Sequence, residues 1–406
     1  MHVLKRLLKV LPLVFLMLLF GCDISPEVRA QKAFYSEIDL WAHFSTEAEV
    51  KVFQAQVNYF NQQHDLVRIN AVVIPSETYQ KTIKDAALEN ALPDIIAVNS
   101  NYVSLYADQK FIIPMDKFLT DSTRNDLLVP VLNQGAFNGR LYMVSPETSG
   151  LVLYANKEKL LASGGSSFIE QPEYINLDDF EGLFDRLAKL DDDGVVMDMN
   201  VLDYNNWAAQ MLLSQLSESS LMPIDDITGS SSIKKALLKI SSWGEKGYLS
   251  TNVANALLNG DIALSWSLLS DYPELKKSMG ENLVMIPFPG FFSDVGSKYS
   301  HSVTRGWGWS VTKQCDDVQA AMRFIEYIFQ NKKSIEINGG SKLMPATLKT
   351  LKKVNYFTSD REINFINNQN VDSSSNSYKI PPDAYFSVQT EYINAIKGKA
   401  SSSRLH

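Results

Sequence analysis

Between Ile38 and Val98 the chain alternates β-rich runs with helical stretches, and no other feature restricts its fold as much. Ile38-Asp39-Leu40-Trp41 alternates as a strand does. Ser45 or Thr46 then caps a helical stretch in which Val50, Phe53, Val57 and Phe60 share one face. Residues 67–74 form a second β-rich run and 79–88 read as a helix. Residues 94–98 read as a short strand of the fully buried kind. This β-α-β-α-β order belongs to a parallel sheet.

A second region of different content begins near Pro146. Strands are predicted at 151–154, 262–266 and 306–311. Helices are predicted at 157–161 after a turn at Asn156, and at 177–190, 207–216, 233–243, 253–258, 318–330 and 383–396. Pro287-Phe288-Pro289-Gly290 interrupts the chain, and 373–377 is a polar loop. No repeat of fixed period is present, which argues against a solenoid or propeller. Two α/β lobes fit this pattern.

At the amino end, Lys5, Arg6 and Lys9 precede an apolar run from Val10 to Phe20 that stops at Gly21-Cys22. The run is about half of the roughly 20 residues that cross a bilayer as a helix, so residues 1–21 read as a cleaved export signal. Leu19-Phe20-Gly21-Cys22 resembles a bacterial lipobox, with Phe20 bulkier than the usual occupant. That resemblance implies a diacylglycerol on the Cys22 thiol, an acylated Cys22 amine and a short tether over 22–32. Asp23 resembles an inner-membrane retention signal, which places the chain on the periplasmic face of the inner membrane, or on the cell surface of a host with one membrane.

Without residues 1–21 the chain keeps 385 residues, with 35 basic against 46 acidic, a net charge of −11. Nucleic-acid binding needs clustered Lys and Arg, and no such run exists outside the signal. Cys22 and Cys315 are the only cysteines. A lipidated Cys22 leaves no intramolecular disulfide, so stability must come from cores, and 385 residues exceed one core of usual size. Cys315 reads as a lone thiol rather than a nucleophile.

Ten short segments, in order, resemble the family-1 extracellular solute-binding proteins, the group that includes maltodextrin-binding proteins. The first six are the 38–45 strand and loop, Phe60-Asn61, Leu92-Pro93-Asp94-Ile95, Pro114-Met115-Asp116, Gly139-Arg140-Leu141-Tyr142 and Leu153-Tyr154-Ala155-Asn156-Lys157. Further on come Leu258-Asn259-Gly260-Asp261-Ile262-Ala263-Leu264, Gly306-Trp307-Gly308-Trp309-Ser310-Val311, the 339–346 segment and Ile393-Asn394-Ala395-Ile396-Lys397-Gly398. Leu264 stands where the family usually has Met.

The resemblance implies an α/β, two-lobed periplasmic-binding-protein fold, type II-like, with interlobe hinge strands. The N-terminal lobe would comprise 33–146 plus about 298–345, and the C-terminal lobe 147–297 plus about 346–406. The crossings fall near 147–150 and 297–304. It further implies a receptor, not an enzyme, that hands a sugar or oligosaccharide to an ABC permease without a cofactor. The alternatives are a receptor that reports to a membrane sensor and an envelope carbohydrate-active enzyme.

Sugars need aromatic platforms beside fixed hydrogen-bonding groups, and in open α/β sheets ligands sit beyond the carboxyl ends of strands. His43 and Ser45 follow the first strand, Asn101 follows the 94–98 strand, and Trp266 closes the 262–266 strand. Trp307 and Trp309 share a face of one strand; Trp307, next to the crossing, is the one expected at the ligand. Trp207 and Tyr385 fall where sugar-binding relatives place aromatics. Trp41 and Trp243 read as core.

Asp191-Asp192-Asp193-Gly194 lacks the acidic twelfth position of a calcium loop, which falls on Leu202, and reads as a polar turn. The histidines at 2, 43, 64, 301 and 406 form no zinc motif. A nucleophile elbow, a P-loop and a dinucleotide fingerprint are absent from the sequence.

Overall fold

The computed structural model describes residues 36–44, 47–170, 175–199, 231–250, 256–287, 289–290, 304–330, 344–353, 359–372 and 382–398. The chain opens with β1 (Ser36–Ala42), α1 (Glu47–Gln63), β2 (Val67–Val73), α2 (Ser76–Leu88) and β3 (Ile95–Asn99). β1 pairs in parallel with β2 on one side and β3 on the other, Ile38 opposite Ile69 and Leu40 opposite Ile95. The period of two explains β1: Ile38, Leu40 and Ala42 are buried, while Glu37 and Asp39 are exposed. On α1, Phe53, Val57 and Phe60 recur at helical spacing and are buried. Ile95 to Val98 are all buried, as a strand covered on both faces requires. Tyr79 of α2 ties the two strands together, its hydroxyl lying 2.7 Å from the Ala97 carbonyl and 3.1 Å from that of Trp41.

The second region contains β4 (Glu147–Asn156), α3 (Lys157–Ala162), α4 (Leu177–Leu187), β5 (Met197–Asp198), α5 (Ser231–Glu245), β6 (Leu249–Ser250), β7 (Leu264–Leu268) and β8 (Leu283–Ile286). Then come β9 (Thr304–Arg305), β10 (Trp307–Val311), α6 (Val318–Gln330), β11 (Met344–Pro345), α7 (Arg361–Asp372) and α8 (Pro382–Ile396). The second sheet has the order β8-β4-β7-β5-β6, with β9 and β11 also paired to β4. β10 instead returns to the first sheet and runs antiparallel to β3, Trp307 opposite Asn99 and Val311 opposite Ile95.

β4 belongs to the second sheet and contributes side chains to both cores. Its first residues, Glu147 and Thr148, pair with β11, and Ser149 and Gly150 pair with β9. The remainder pairs with β7 and β8. Alternate side chains enter different cores: Val152 and Tyr154 join the one that holds Leu40, Phe53 and Phe324, whereas Leu151, Leu153 and Ala155 join Phe184, Trp243 and Tyr392. At its end the Asn156 side chain accepts from the Lys159 N–H at 3.2 Å and caps α3. Trp243 is core, as expected, and its indole N–H donates to Glu181 Oε1 at 2.9 Å. Trp41 is partly buried against the first core.

α6 closes the first sheet and its start is fixed by one carboxylate. Asp317 Oδ1 accepts from the Ala320 N–H at 2.9 Å, and Oδ2 accepts from Ser36 Oγ at 2.6 Å, which joins the helix cap to the beginning of β1. The Ser36 hydroxyl and the helix amides hold this carboxyl below the ordinary aspartate value. A depressed folded-state pKa gives stability that is present above the unfolded value and is lost as pH falls through the folded one. Asp317→Ala is therefore expected to cost about 1 kcal/mol near neutral pH. Urea titrations of both proteins should show the difference shrinking in acid; a difference that is constant with pH would remove the charged cap.

Candidate functional site

Three segments reach one edge of the first sheet. β1 runs out into His43-Phe44, β3 runs out into Ser100-Asn101-Tyr102, and β10 enters with Trp307 opposite Asn99. Because β10 is antiparallel, its amino end lies at the carboxyl ends of the parallel strands. His43, Asn101 and Trp307, three of the residues expected at the ligand, thus share the sheet edge where α/β proteins bind ligands.

The imidazole of His43 stands edge-on to the Trp307 ring, centroids 3.8 Å apart at 72°, and 5.0 Å from the ring of Tyr79. Tyr79 and Trp307 are themselves 5.8 Å apart, so three rings meet. Asn99 Oδ1 accepts from the Asn101 N–H at 3.0 Å and turns the chain, while the Ser100 N–H donates to the Gly306 carbonyl at 3.0 Å. His43 Nδ1 is 3.2 Å from Ser76 Oγ, which is 3.1 Å from the Phe44 carbonyl. Burial holds the His43 pKa below its ordinary value, and Glu49 opposes this in part.

Beside the rings, His43 Nε2, Ser100 Oγ and Asn101 Oδ1 are buried and have no hydrogen-bond partner among the described residues. Buried polar atoms are almost always paired, because burying one unpaired costs about 1–3 kcal/mol. Three such atoms on one sheet edge, next to an indole that is only half-buried, are unmet hydrogen-bonding capacity at the place where α/β proteins bind ligands.

Trp309 shares the strand face of Trp307 but is core: it is 5% exposed and stacks on Phe53 at 5.4 Å. The expectation for Trp266 is corrected. It lies in the middle of β7, not at its end, is 1% exposed, and stacks on Tyr392 of α8 at 6.4 Å. A side chain so enclosed presents no surface to a ligand. Ser45, Trp207 and Cys22 lie outside the described residues, as do the predicted helix at 207–216 and the loop at 373–377. Tyr385 falls within α8, where the backbone alone is described.

Ser100, on the loop after the 94–98 strand where ligand contacts are expected, belongs to this edge, and so do Tyr79 and Ser76, for which the sequence gives no ligand signal. Tyr79 and Ser76 come from the start of α2, where sequence pattern speaks only of capping and core. The Asp191–Gly194 run is the polar turn expected, with Asp193 Oδ1 accepting from the Val195 N–H at 3.0 Å. Burial and the neighbouring Asp94 push the Cys315 thiol up to about 12, which keeps it protonated and unreactive. Among the described residues there is no metal-binding group of three or more His, Cys, Asp or Glu, and no helix is long and apolar enough to cross a membrane.

Two separate α/β sheets, with β4 lending side chains to both cores and a polar and aromatic edge at the carboxyl ends of the first sheet, fit a two-lobed binding protein. The model of the bacterial extracellular solute-binding protein family matches residues 55–362, and the chain belongs to that family. Its fold is similar to the sugar-binding protein MalE from the phytopathogen Xanthomonas citri, with a TM-score of 0.76 at 18% identity over 91% of this chain and 94% of that one. It is also similar to the GacH receptor of Streptomyces glaucescens, with a TM-score of 0.67 at 19% identity over 91% and 95%. The cyclic alpha-maltosyl-1,6-maltose binding protein from Arthrobacter globiformis gives 0.71 at 16% over 91% and 96%. At these identities the likeness speaks for the fold. No curated protein matches the chain.

Proposed function

We propose that this protein is an extracytoplasmic receptor that captures a sugar or oligosaccharide between its lobes, delivers it to an ABC importer and performs no chemistry on it. The observation that carries this reading is the His43–Trp307 ring pair, set among unpartnered polar atoms at the carboxyl edge of the first sheet. An indole offers a face to the C–H surface of a sugar ring, and the polar atoms offer hydrogen bonds to its hydroxyls. Relatives of the same fold support it: the GacH receptor has been crystallised with acarbose, and a cyclo/maltodextrin-binding protein with maltotetraose.

In this reading the lobes comprise 33–146 plus about 298–345 and 147–297 plus about 346–406, with Trp207 and Tyr385 closing on the ligand from the second. Ser45 adds a hydroxyl at the first. Residues 1–21 direct export, and Cys22 carries the lipid that holds the receptor beside its permease, several acyl chains anchoring where one binds only marginally. Closure about the 147–150 and 304–305 crossings brings both lobes onto the ligand.

A thermal-shift screen of the chain from residue 23 against mono-, di- and oligosaccharides tests this. A ligand that binds the folded state at a hundred times its Kd adds about 2.7 kcal/mol of stability. Trp307→Ala is expected to weaken the best saccharide by more than about tenfold, which is about 1.4 kcal/mol. Turnover of the saccharide to product on long incubation would replace the receptor by an enzyme, and an unchanged Kd would take Trp307 out of the site.

A further inference from the structure

We propose that Ser76 is a positioning residue that fixes the tautomer of His43, so that His43 Nε2 is a hydrogen-bond acceptor which a ligand hydroxyl must satisfy, and that this edge therefore selects neutral polyhydroxylated ligands over carboxylated ones. The inference rests on the saccharide-receptor reading and names the chemistry of its site.

Ser76 Oγ lies 3.1 Å from the Phe44 carbonyl, which can only accept, so the single hydroxyl proton goes there. The same oxygen lies 3.2 Å from His43 Nδ1. Having given its proton to Phe44, it can only accept from the ring, and the two bonds coexist only when Nδ1 carries hydrogen. A neutral imidazole has one N–H, so Nε2 is left as a bare lone pair. That nitrogen is buried without a partner among the described residues, and so is the carbonyl oxygen of Asn101, a second atom that can only accept.

Ser100 Oγ, the third such atom, can serve in either direction. The edge thus asks its ligand for donors. A sugar hydroxyl supplies one, whereas a carboxylate brings only lone pairs and would face two more.

Protonating His43 turns Nε2 from acceptor into donor and destroys the match. The groups facing the ring are Glu49 from α1, which favours the imidazolium, Tyr79 and Ser76 from α2, and the uncharged Trp307 from β10. Burial outweighs Glu49, so the ring stays neutral through neutral pH. Affinity is expected to be level above the His43 pKa and to fall by about tenfold for each pH unit below it.

The test has two arms on the chain from residue 23. Imidazole nitrogen shifts of the ligand-free protein should show His43 protonated at Nδ1 and bare at Nε2, and Ser76→Ala should move the proton toward Nε2. Calorimetric titration with maltotriose and with trigalacturonate should show binding of the neutral sugar alone. That binding should be level at neutral pH and weaken as pH falls through the His43 pKa, which burial places below the ordinary imidazole value. His43→Leu should bind maltotriose at least about tenfold more weakly with a flat pH profile.

A bare Nδ1 in the wild type, pH-independent binding of maltotriose, or preference for trigalacturonate would overturn the inference and leave the receptor reading in place. Binding of neither probe would remove the proposed selectivity together with the saccharide reading, while the nitrogen shifts still decide the tautomer without any ligand.

Discussion

Trp309→Ala is expected to lower stability by about 3–5 kcal/mol, the usual range for deleting a buried tryptophan. The indole is 5% exposed and lies on Phe53 of α1 with the rings 25° from parallel. Its backbone exchanges two hydrogen bonds with Val144, at 2.9 and 3.1 Å. The cavity left by alanine would open between α1 and the first sheet, where backbone pairing on both sides of β10 prevents collapse. Trp309 Nε1 has no hydrogen-bond partner among the described residues, so no hydrogen bond is lost with the ring. Trp309→Phe should therefore recover most of the loss. Urea unfolding of the two variants checks both statements; a loss under about 1 kcal/mol for alanine would mean that the indole is not packed as described.

Trp307, two residues earlier on the same face, has the opposite character, and the sequence distinguishes the two only through position. Both indoles alternate with glycine, so period and composition treat them alike. What separates them is the length of β3. Trp307 lies opposite Asn99, its last residue, and Trp309 opposite Ala97 inside it. The rule that ligands gather beyond strand ends therefore selects Trp307, along with His43 and Asn101.

The same rule misleads at Trp266, because β7 runs over Leu264–Leu268, two residues beyond the 262–266 span that the apolar pattern suggests. The apolar run Ile262-Ala263-Leu264 reads as the start of a strand, yet the N–H groups of Ala263 and Leu264 both bond the one Val196 carbonyl, so regular pairing has not begun there. β7 begins only at Leu264, where pairing with Ala155 of β4 sets its register. Pairing with a distant strand decides this, and a local pattern carries no record of it. β4 likewise begins four residues ahead of its apolar run, since 147–150 become strand only through partners near 304 and 344. By contrast, β1 to β3 with their helices form from contiguous sequence, where burial on one face writes the pattern directly.

Gly308→Ala is the substitution expected to strike stability and binding together. A Cβ at this position would stand 2.7 Å from both Met143 Cγ and the Val144 carbonyl oxygen. The methionine can swing aside, but the carbonyl is held by the Trp309 N–H at 2.9 Å. On its other side β10 is paired to β3, with Gly308 opposite Val98, so the strand has no free direction in which to move. Overpacking of this kind costs about 3 kcal/mol, or a fall in Tm of roughly 6–12 °C. The shift it forces would also carry Trp307 away from His43, 3.8 Å distant, and weaken the saccharide. Calorimetry on the free protein and titration with its best ligand separate the outcomes. A loss of affinity with little loss of Tm would mean that β10 slides as a unit and that the 143–144 segment follows it. A loss of Tm with unchanged Kd would detach the ring pair from the binding site.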